Sequence, residues 1–239
     1  MADPVEQAVD MVVVGASGGI GGYLVHSFRT RHRVLGTFCT HRPDEEYPDV
    51  TYQPLDLTDR DAVAAFCSET APRLERPVLV YTPGISPNQV AHKFTDEDWD
   101  RTLSINLTGA MLLCRGLLPR MREVGFGRIV LLSSVLSRTM VPGSLAYSVS
   151  KAGLGALARV IAAENATKGV TANALALGYH NLGIIRSVPE KFLEERVLPS
   201  IPMRRLGDPD NIRAAIEFLV QADYVTGATL DINGGIVGA

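Results

Sequence analysis

Tyr147 and Lys151 stand four residues apart in a stretch that reads as helix, so their side chains share one face. An ordinary phenol titrates near ~10 and exchanges protons poorly at neutral pH. A cation about 4 Å away, at an effective dielectric near 20, favours the phenolate by roughly 4 kcal/mol, or about three pKa units. Such a pair brings the phenol close to ~7, where it can both give and take a proton. Tyr-x3-Lys is short and common by chance, and a solvated helix pair is the competing reading. Ser134 precedes Tyr147 by thirteen residues, at the C-terminal end of an apolar strand. Ligands of open parallel sheets bind outside those carboxyl ends, so a hydroxyl there can meet a carbonyl oxygen beside the tyrosine. For Ser133 and Ser134 the competing reading is a strand-end turn.

A second chemical feature is the run Gly15-Ala16-Ser17-Gly18-Gly19-Ile20-Gly21, set between a strand and a helix. Glycine lets the backbone turn tightly and approach a pyrophosphate, and the N–H groups from Ser17 to Gly21 open a helix with a partial positive charge. Its Gly-x3-Gly-x-Gly spacing differs from Gly-x-Gly-x-x-Gly, and such turns also occur for steric reasons alone. The position after the first strand favours a dinucleotide. Which dinucleotide depends on the end of the second strand, where an acid would bind ribose hydroxyls and repel a 2′-phosphate. Here Phe38-Cys39-Thr40-His41-Arg42 carries no acid before Asp44. Thr40, His41 and Arg42 therefore favour NADPH, with NADH as the alternative; a solvated loop competes. Asp56, followed by Leu57 after the third strand, is placed to meet the adenine amino group or to cap a helix.

These residues need a scaffold. Met11–Val14, Arg33–Phe38, Val50–Leu55, Pro77–Tyr81, Arg128–Leu132, Val170–Leu177 and Ala228–Ile232 read as strands. Helices are expected over Tyr23–Thr30, from a Thr58 cap to about Ser68, from Thr95 to the glycines Gly125 and Gly127, over Leu145–Asn165, Pro189–Val197 and Pro209–Gln221. Leu107, Ala110, Met111, Cys114, Leu117, Leu118 and Met121 form a core-facing stripe on the long one. Strands alternating with helices of this length imply an α/β fold, with a parallel sheet covered on both faces. A TIM barrel fits the alternation too, but a glycine turn directly after strand one favours a doubly wound Rossmann fold. One domain over residues 1–239 is sufficient for the length.

Composition narrows the classes. There are 26 acidic and 23 basic residues, a net charge of −3, with no Lys/Arg run, which argues against nucleic-acid binding. Cys39, Cys67 and Cys114 are too few for a disulfide framework or zinc site and read as thiols of a reducing cytosol. No apolar run reaches membrane-spanning length, and Met1 to Asp10 lacks the basic start of a signal peptide, so a cytoplasmic protein is expected.

Taken in order, Gly15-x3-Gly19-x-Gly21, Asp56, Asn106, Ser134, Tyr147-x3-Lys151 and Thr226-Gly227…Asp231-Ile232-Asn233-Gly234-Gly235 closely resemble the short-chain dehydrogenase/reductase superfamily, from about Met11 to Gly235. Within it the chain looks most like 3-oxoacyl-[acyl-carrier-protein] reductases and related ketoreductases. The resemblance implies Tyr147 as general acid, Lys151 on the nicotinamide ribose, Ser134 orienting substrate, and Asn106 holding a water of a proton relay. For Asn106, a helix-kinking residue that bonds backbone is the competing reading. It also implies Gly84 and Gly178 beside the cofactor, a substrate-covering segment at about 179–203, and a homotetramer or homodimer. Four departures stand out: Val14 where Thr is usual, Gly18 where a basic residue often sits, Tyr81-Thr82-Pro83-Gly84 for Asn-Asn-Ala-Gly, and Leu177-Gly178 with Leu182 for Pro-Gly and its Thr.

The resulting expectation is NADPH-dependent reduction of a 3-oxoacyl thioester, carried by acyl-carrier protein or CoA, or of a similar β-keto compound. An NAD-dependent secondary alcohol dehydrogenase is the enzyme alternative, and a non-catalytic cofactor-binding scaffold the other. An acidic carrier would call for a basic rim, for which Lys168 and Arg122 are candidates. His180 reads either as a substrate contact or as a lid residue in water, and Ser86, Asn88 and Gln89 as a solvated loop or the opposite wall.

Overall fold

The computed structural model describes residues 8–236. The leader reading of Met1 to Asp10 therefore falls mostly outside the described residues. Seven strands form one parallel sheet in the order β3-β2-β1-β4-β5-β6-β7. They are β1 Asp10–Val14, β2 Arg33–Phe38, β3 Val50–Pro54, β4 Pro77–Tyr81, β5 Gly127–Ser134, β6 Val170–Leu177 and β7 Thr229–Ile232. The sheet is open, with β3 and β7 at its edges, which excludes the barrel. Val13 lies beside Gly36 of β2 on one side and Val80 of β4 on the other. The chain order reverses between these neighbours, so the crevice at their carboxyl ends is where a doubly wound sheet takes its ligand.

Alternate strand residues feed two cores, as a strand buried on both faces requires. Leu79, Tyr81, Ile129 and Leu131 pack with α2 (Arg60–Thr70), α4 (Gly109–Glu123) and α5 (Leu145–Asn165). Val78, Val80, Val130 and Leu132 pack on the other face with Leu24 and Phe28 of α1 (Gly19–Phe28) and Ile212 and Ile216 of α6 (Asp210–Gln221).

Several element ends differ from expectation, each for a local reason. Helix α1 begins at Gly19 rather than Tyr23. Its glycines are needed for close approach: a Cβ on Gly21 would lie 2.1 Å from the Gly15 carbonyl oxygen. Asp59, not Thr58, caps α2, accepting the Asp61 and Ala62 N–H groups at 3.0 Å, because Thr58 is already bonded to Asp56. The long helix is two: α3 (Asp96–Leu103) and α4, joined by a π-turn over Ser104–Thr108. On α4 the stripe holds at Ala110, Cys114, Leu117 and Met121, but Met111 and Leu118 are only partly buried. Leu112 and Leu113 are buried instead, because α4 packs against α2 as well as the sheet. Gly125, at φ +67°, follows that helix, while Gly127 opens β5. The expected helical stretch Pro189–Val197 is helical from Glu190, with a π-turn over Leu193–Val197, and runs on through Leu198–Ser200. Among the described residues no helix is long and apolar enough to cross a membrane. Cys39 is exposed, and Cys67 and Cys114 are buried thiols.

Candidate active site

The carboxyl ends of the central strands open on a cavity of about 720 Å³. Its floor at one end is the glycine turn. Gly15 has φ +83°, and a Cβ there would stand 2.9 Å from the Thr82 hydroxyl. Val14 cannot supply the turn bond that a threonine would, but other hydroxyls do so: Thr82 Oγ1 donates to the Val14 carbonyl at 2.6 Å, and Thr37 Oγ1 accepts from Gly15 N–H at 3.4 Å. Ser17, Gly18, Gly19, Ile20 and Gly21 line the cavity at the N-terminus of α1. Gly18 caps that helix without any side-chain bond, so its first N–H groups are available to an anion.

At the adenosine end the expected residues divide. Thr40, Asp56 and Leu57 line the cavity, whereas His41 and Arg42 are not on its wall. Arg42 pairs with Glu46 at 2.9 Å and lies over the Phe38 ring. Asp56 accepts the Thr58 N–H and hydroxyl at 2.8 and 2.7 Å. Those two bonds, helped by Arg101, hold its carboxyl below the usual carboxylate range. Arg101 itself lines the cavity, as does Cys39; sequence reasoning missed both. Arg101 belongs to a helix whose first turn is acidic, and only the packing of α3 beside Asp56 brings it here.

Ser134, Tyr147 and Lys151 converge on the opposite wall. Ser134 Oγ accepts the Leu136 N–H at 3.2 Å, which leaves its own proton for the Tyr147 oxygen or a ligand. Ser133 also lines the cavity, but its hydroxyl is engaged, donating to the Lys151 carbonyl at 2.7 Å and tying β5 to α5. Lys151 is buried, and its Nζ donates to the Leu132 and Pro83 carbonyls at 2.8 and 3.0 Å. An ammonium has three protons, so one remains for a ligand hydroxyl. Pro83 thus removes a backbone donor yet contributes an acceptor. Gly84 makes room, since a Cβ there would approach Lys151 Nζ to 3.2 Å.

The expected lowering of the phenol by Lys151 does not govern the site. Burial raises the Tyr147 phenol above its ordinary value; the Ser134 hydroxyl pulls it down and Tyr179 pushes it further up. Burial also pulls Lys151 down, to about 7, well below an ordinary lysine. Desolvation is the largest influence on both groups.

Asn106 does not reach the cavity wall. Its side chain is buried in the π-turn, where Oδ1 accepts the Ile85 N–H and Nδ2 donates to the Ile85 carbonyl, both at 2.9 Å, and to Ser150 Oγ at 3.0 Å. Gly178 lines the cavity, pressed against Asn233. His180 is buried, not a lid residue in water: its Nδ1 stands 3.2 Å from the Gly178 carbonyl and its ring packs on Gly207. Tyr179, His180, Leu182 and Gly183 cover the cavity, with Gly183 resting on Gly19. Ser86 lines the wall, while Gln89 N–H is bonded to the Gly143 carbonyl at 3.1 Å. The basic-rim candidates are misplaced. Arg122 and Lys168 precede β5 and β6, at the end of the sheet away from the cavity.

A Rossmann fold with a glycine turn, and a hydroxyl, phenol and amine on the facing wall, defines a nicotinamide-dependent oxidoreductase. The family model described as enoyl-(acyl carrier protein) reductase, a short-chain dehydrogenase type, matches residues 40–237. An acetoacetyl-CoA reductase from Rhizobium meliloti is 41% identical over 94% of this chain and 96% of its own. The 3-oxoacyl-[acyl-carrier-protein] reductase FabG of Rickettsia felis is 31% identical over 95% of each chain. A crystal structure of a candidate short-chain alcohol dehydrogenase from Sinorhizobium meliloti 1021 superposes with a TM-score of 0.87 at 25% identity, covering 98% of both chains. The chain belongs to the short-chain dehydrogenase/reductase family, whose cofactors are NAD(P)(H).

Proposed function

We propose that this enzyme reduces the keto group of a short 3-oxoacyl thioester to the 3-hydroxy product with NADPH. The observation that carries the reading is the Tyr147 phenol beside the Ser134 hydroxyl on the cavity wall; the acetoacetyl-CoA and 3-oxoacyl-carrier reductase names of the relatives point to the same chemistry. Bound NADPH supplies the hydride. Tyr147 donates its proton to the carbonyl oxygen, and Ser134 donates a hydrogen bond to the same atom, so both stabilise the charge that develops there. Lys151 holds the nicotinamide ribose through its third proton. The N–H groups of Ser17, Gly19, Ile20 and Gly21 take the pyrophosphate while Gly18 N–H closes the turn on the Gly15 carbonyl, Asp56 and Leu57 take the adenine, and Gly84 and Gly178 let the backbone approach the cofactor. Ile85, Leu136, Ile185 and Val188 give the substrate end an apolar wall suited to a short acyl chain.

NADPH is favoured because Phe38, Cys39 and Thr40, which line the cavity at the end of β2, carry no carboxylate. The Arg42–Glu46 pair is exposed, so it holds Arg42 by only about 0–1 kcal/mol and yields to a 2′-phosphate. We read residues 1–239 as one cytoplasmic domain, with residues 179–203 over the substrate, assembled as a tetramer or dimer. The deciding experiment is nicotinamide oxidation with acetoacetyl-CoA, comparing NADPH with NADH. Turnover with NADPH supports the reading. Turnover with NADH alone keeps the mechanism and removes the phosphate site. Inactivity with both overturns the thioester assignment and leaves a secondary alcohol with NAD as the next substrate class.

A further inference from the structure

We propose that Tyr81 is a positioning residue, whose hydroxyl replaces the helical hydrogen bond lost at Ile105 and thereby fixes Asn106, Ile85 and the Tyr147 turn of α5; this rests on the reading of Tyr147 as proton donor. In an α-helix the Gly109 N–H would bond the Ile105 carbonyl four residues back. In this chain it bonds Ser104 instead, so the π-turn leaves the Ile105 carbonyl without its helical partner. Tyr81, the last residue of β4 and fully buried, donates its hydroxyl to that carbonyl. Burial raises its phenol well above the ordinary value, so it stays a donor at every working pH. Position 109 is shaped for this bond: a Cβ on Gly109 would stand 2.7 Å from Tyr81 Oη.

From Ile105 the connection runs to the site in few steps. Asn106, the next residue, spans both backbone groups of Ile85 and the Ser150 hydroxyl. Ser150 Oγ in turn donates to the Tyr147 carbonyl at 2.7 Å. Ile85 lies on the cavity wall, next to the glycine that makes room for Lys151. The tyrosine at position 81 thus serves the π-turn from the strand side, while Asn106 serves it from the helix side.

Tyr81→Phe keeps the ring and deletes one oxygen. We expect kcat for acetoacetyl-CoA reduction to fall by about 10- to 100-fold, as for a slightly misplaced donor, with both KM values within about twofold. Amide hydrogen exchange should rise at residues 84–86 and 104–110 and stay at the wild-type level in α1 and α6. Gly109→Ala, which presses on the same hydroxyl, should reproduce both effects. Leu117→Ala, a buried change on the same helix, should lower stability and leave kcat unchanged. An unaltered kcat in an active wild-type background, or a loss of kcat that Leu117→Ala matches, overturns the role of Tyr81. Unchanged exchange at 104–110 overturns it whether or not the enzyme turns over. A wild-type protein without NAD(P)H-dependent reduction of the thioester instead overturns the proposed function, and exchange alone then decides for Tyr81.

Discussion

Tyr147 has to part with a proton in a corner where burial favours its neutral form. That suits the reductive direction, in which the phenol must begin protonated. Replacing it with Phe should lower kcat by about 10²- to 10⁴-fold, the usual worth of a positioned acid, and leave NADPH binding by fluorescence titration unchanged; an active Tyr147→Phe enzyme would refute the assignment. Lys151 bears on stability as well as chemistry. Its folded value of about 7 lies below the ordinary 10.5. Between those values the unfolded chain binds more protons than the folded one, so this group makes stability rise with pH. The limit is one proton, or about 1.4 kcal/mol per pH unit. Chemical denaturation from pH 7 to 9 should show a steeper rise for the wild type than for Lys151→Met. A parallel slope in the two proteins would mean that Lys151 is not desolvated as described. The residue types of Ser134, Tyr147 and Lys151 were legible in the sequence, because spacing alone puts them on one helix face and one strand end. Their charge states were not, since burial rather than their pairing sets them.

At the scale of elements, strand bodies were legible and their junctions less so. Arg33–Phe38, Pro77–Tyr81, Leu145–Asn165 and Val170–Leu177 coincide with the expected spans, because apolar runs and a long helical period leave little choice. The cap of α2 was read one residue early. Thr58 and Asp59 are both good cap residues, and only the engagement of Thr58 by Asp56 decides between them. Asp59→Ala should cost about 1 kcal/mol in urea denaturation without altering kcat; no loss would return the cap to Thr58. The helix-kinking, backbone-bonding reading of Asn106 holds, but the extent of the π-turn over Ser104–Thr108 was not legible, since its apolar residues keep helical spacing and the Tyr81 bond to it comes from a strand far away in sequence. The glycine turn was legible, but the reason for each glycine is tertiary. A Cβ on Gly21 would meet the backbone oxygen of Gly15, which cannot move aside as a side-chain tip can. Gly21→Ala should therefore abolish NADPH binding in a titration. Wild-type affinity would show that the turn relaxes and that its approach to α1 does not define the phosphate site.

At the scale of the whole molecule, a parallel sheet with a reversal beside β1 gathers residues from the ends of six strands, β1 to β6, around one cavity. The doubly wound fold was legible from alternation and from the place of the glycine turn. The cavity's adenosine wall was not, because the packing of α3 adds Arg101 and surface pairing draws Arg42 aside. A ligand that spans this cavity touches both halves of the sheet and binds only the folded chain, so it must raise stability by mass action. At 100 times its Kd the gain is about 2.7 kcal/mol, which for a domain of this size corresponds to about 5–10 °C in Tm. Thermal melts with NADPH and NADH at equal concentrations separate the readings without needing a substrate. A larger shift with NADPH is expected, and Arg42→Ala should bring it down to that of NADH, because Arg42 would then no longer leave Glu46 for the 2′-phosphate. Equal shifts in the wild type would remove the phosphate site and leave the dinucleotide. If neither cofactor moves Tm, the cavity does not bind a dinucleotide, and the glycine turn serves the packing of α1 alone.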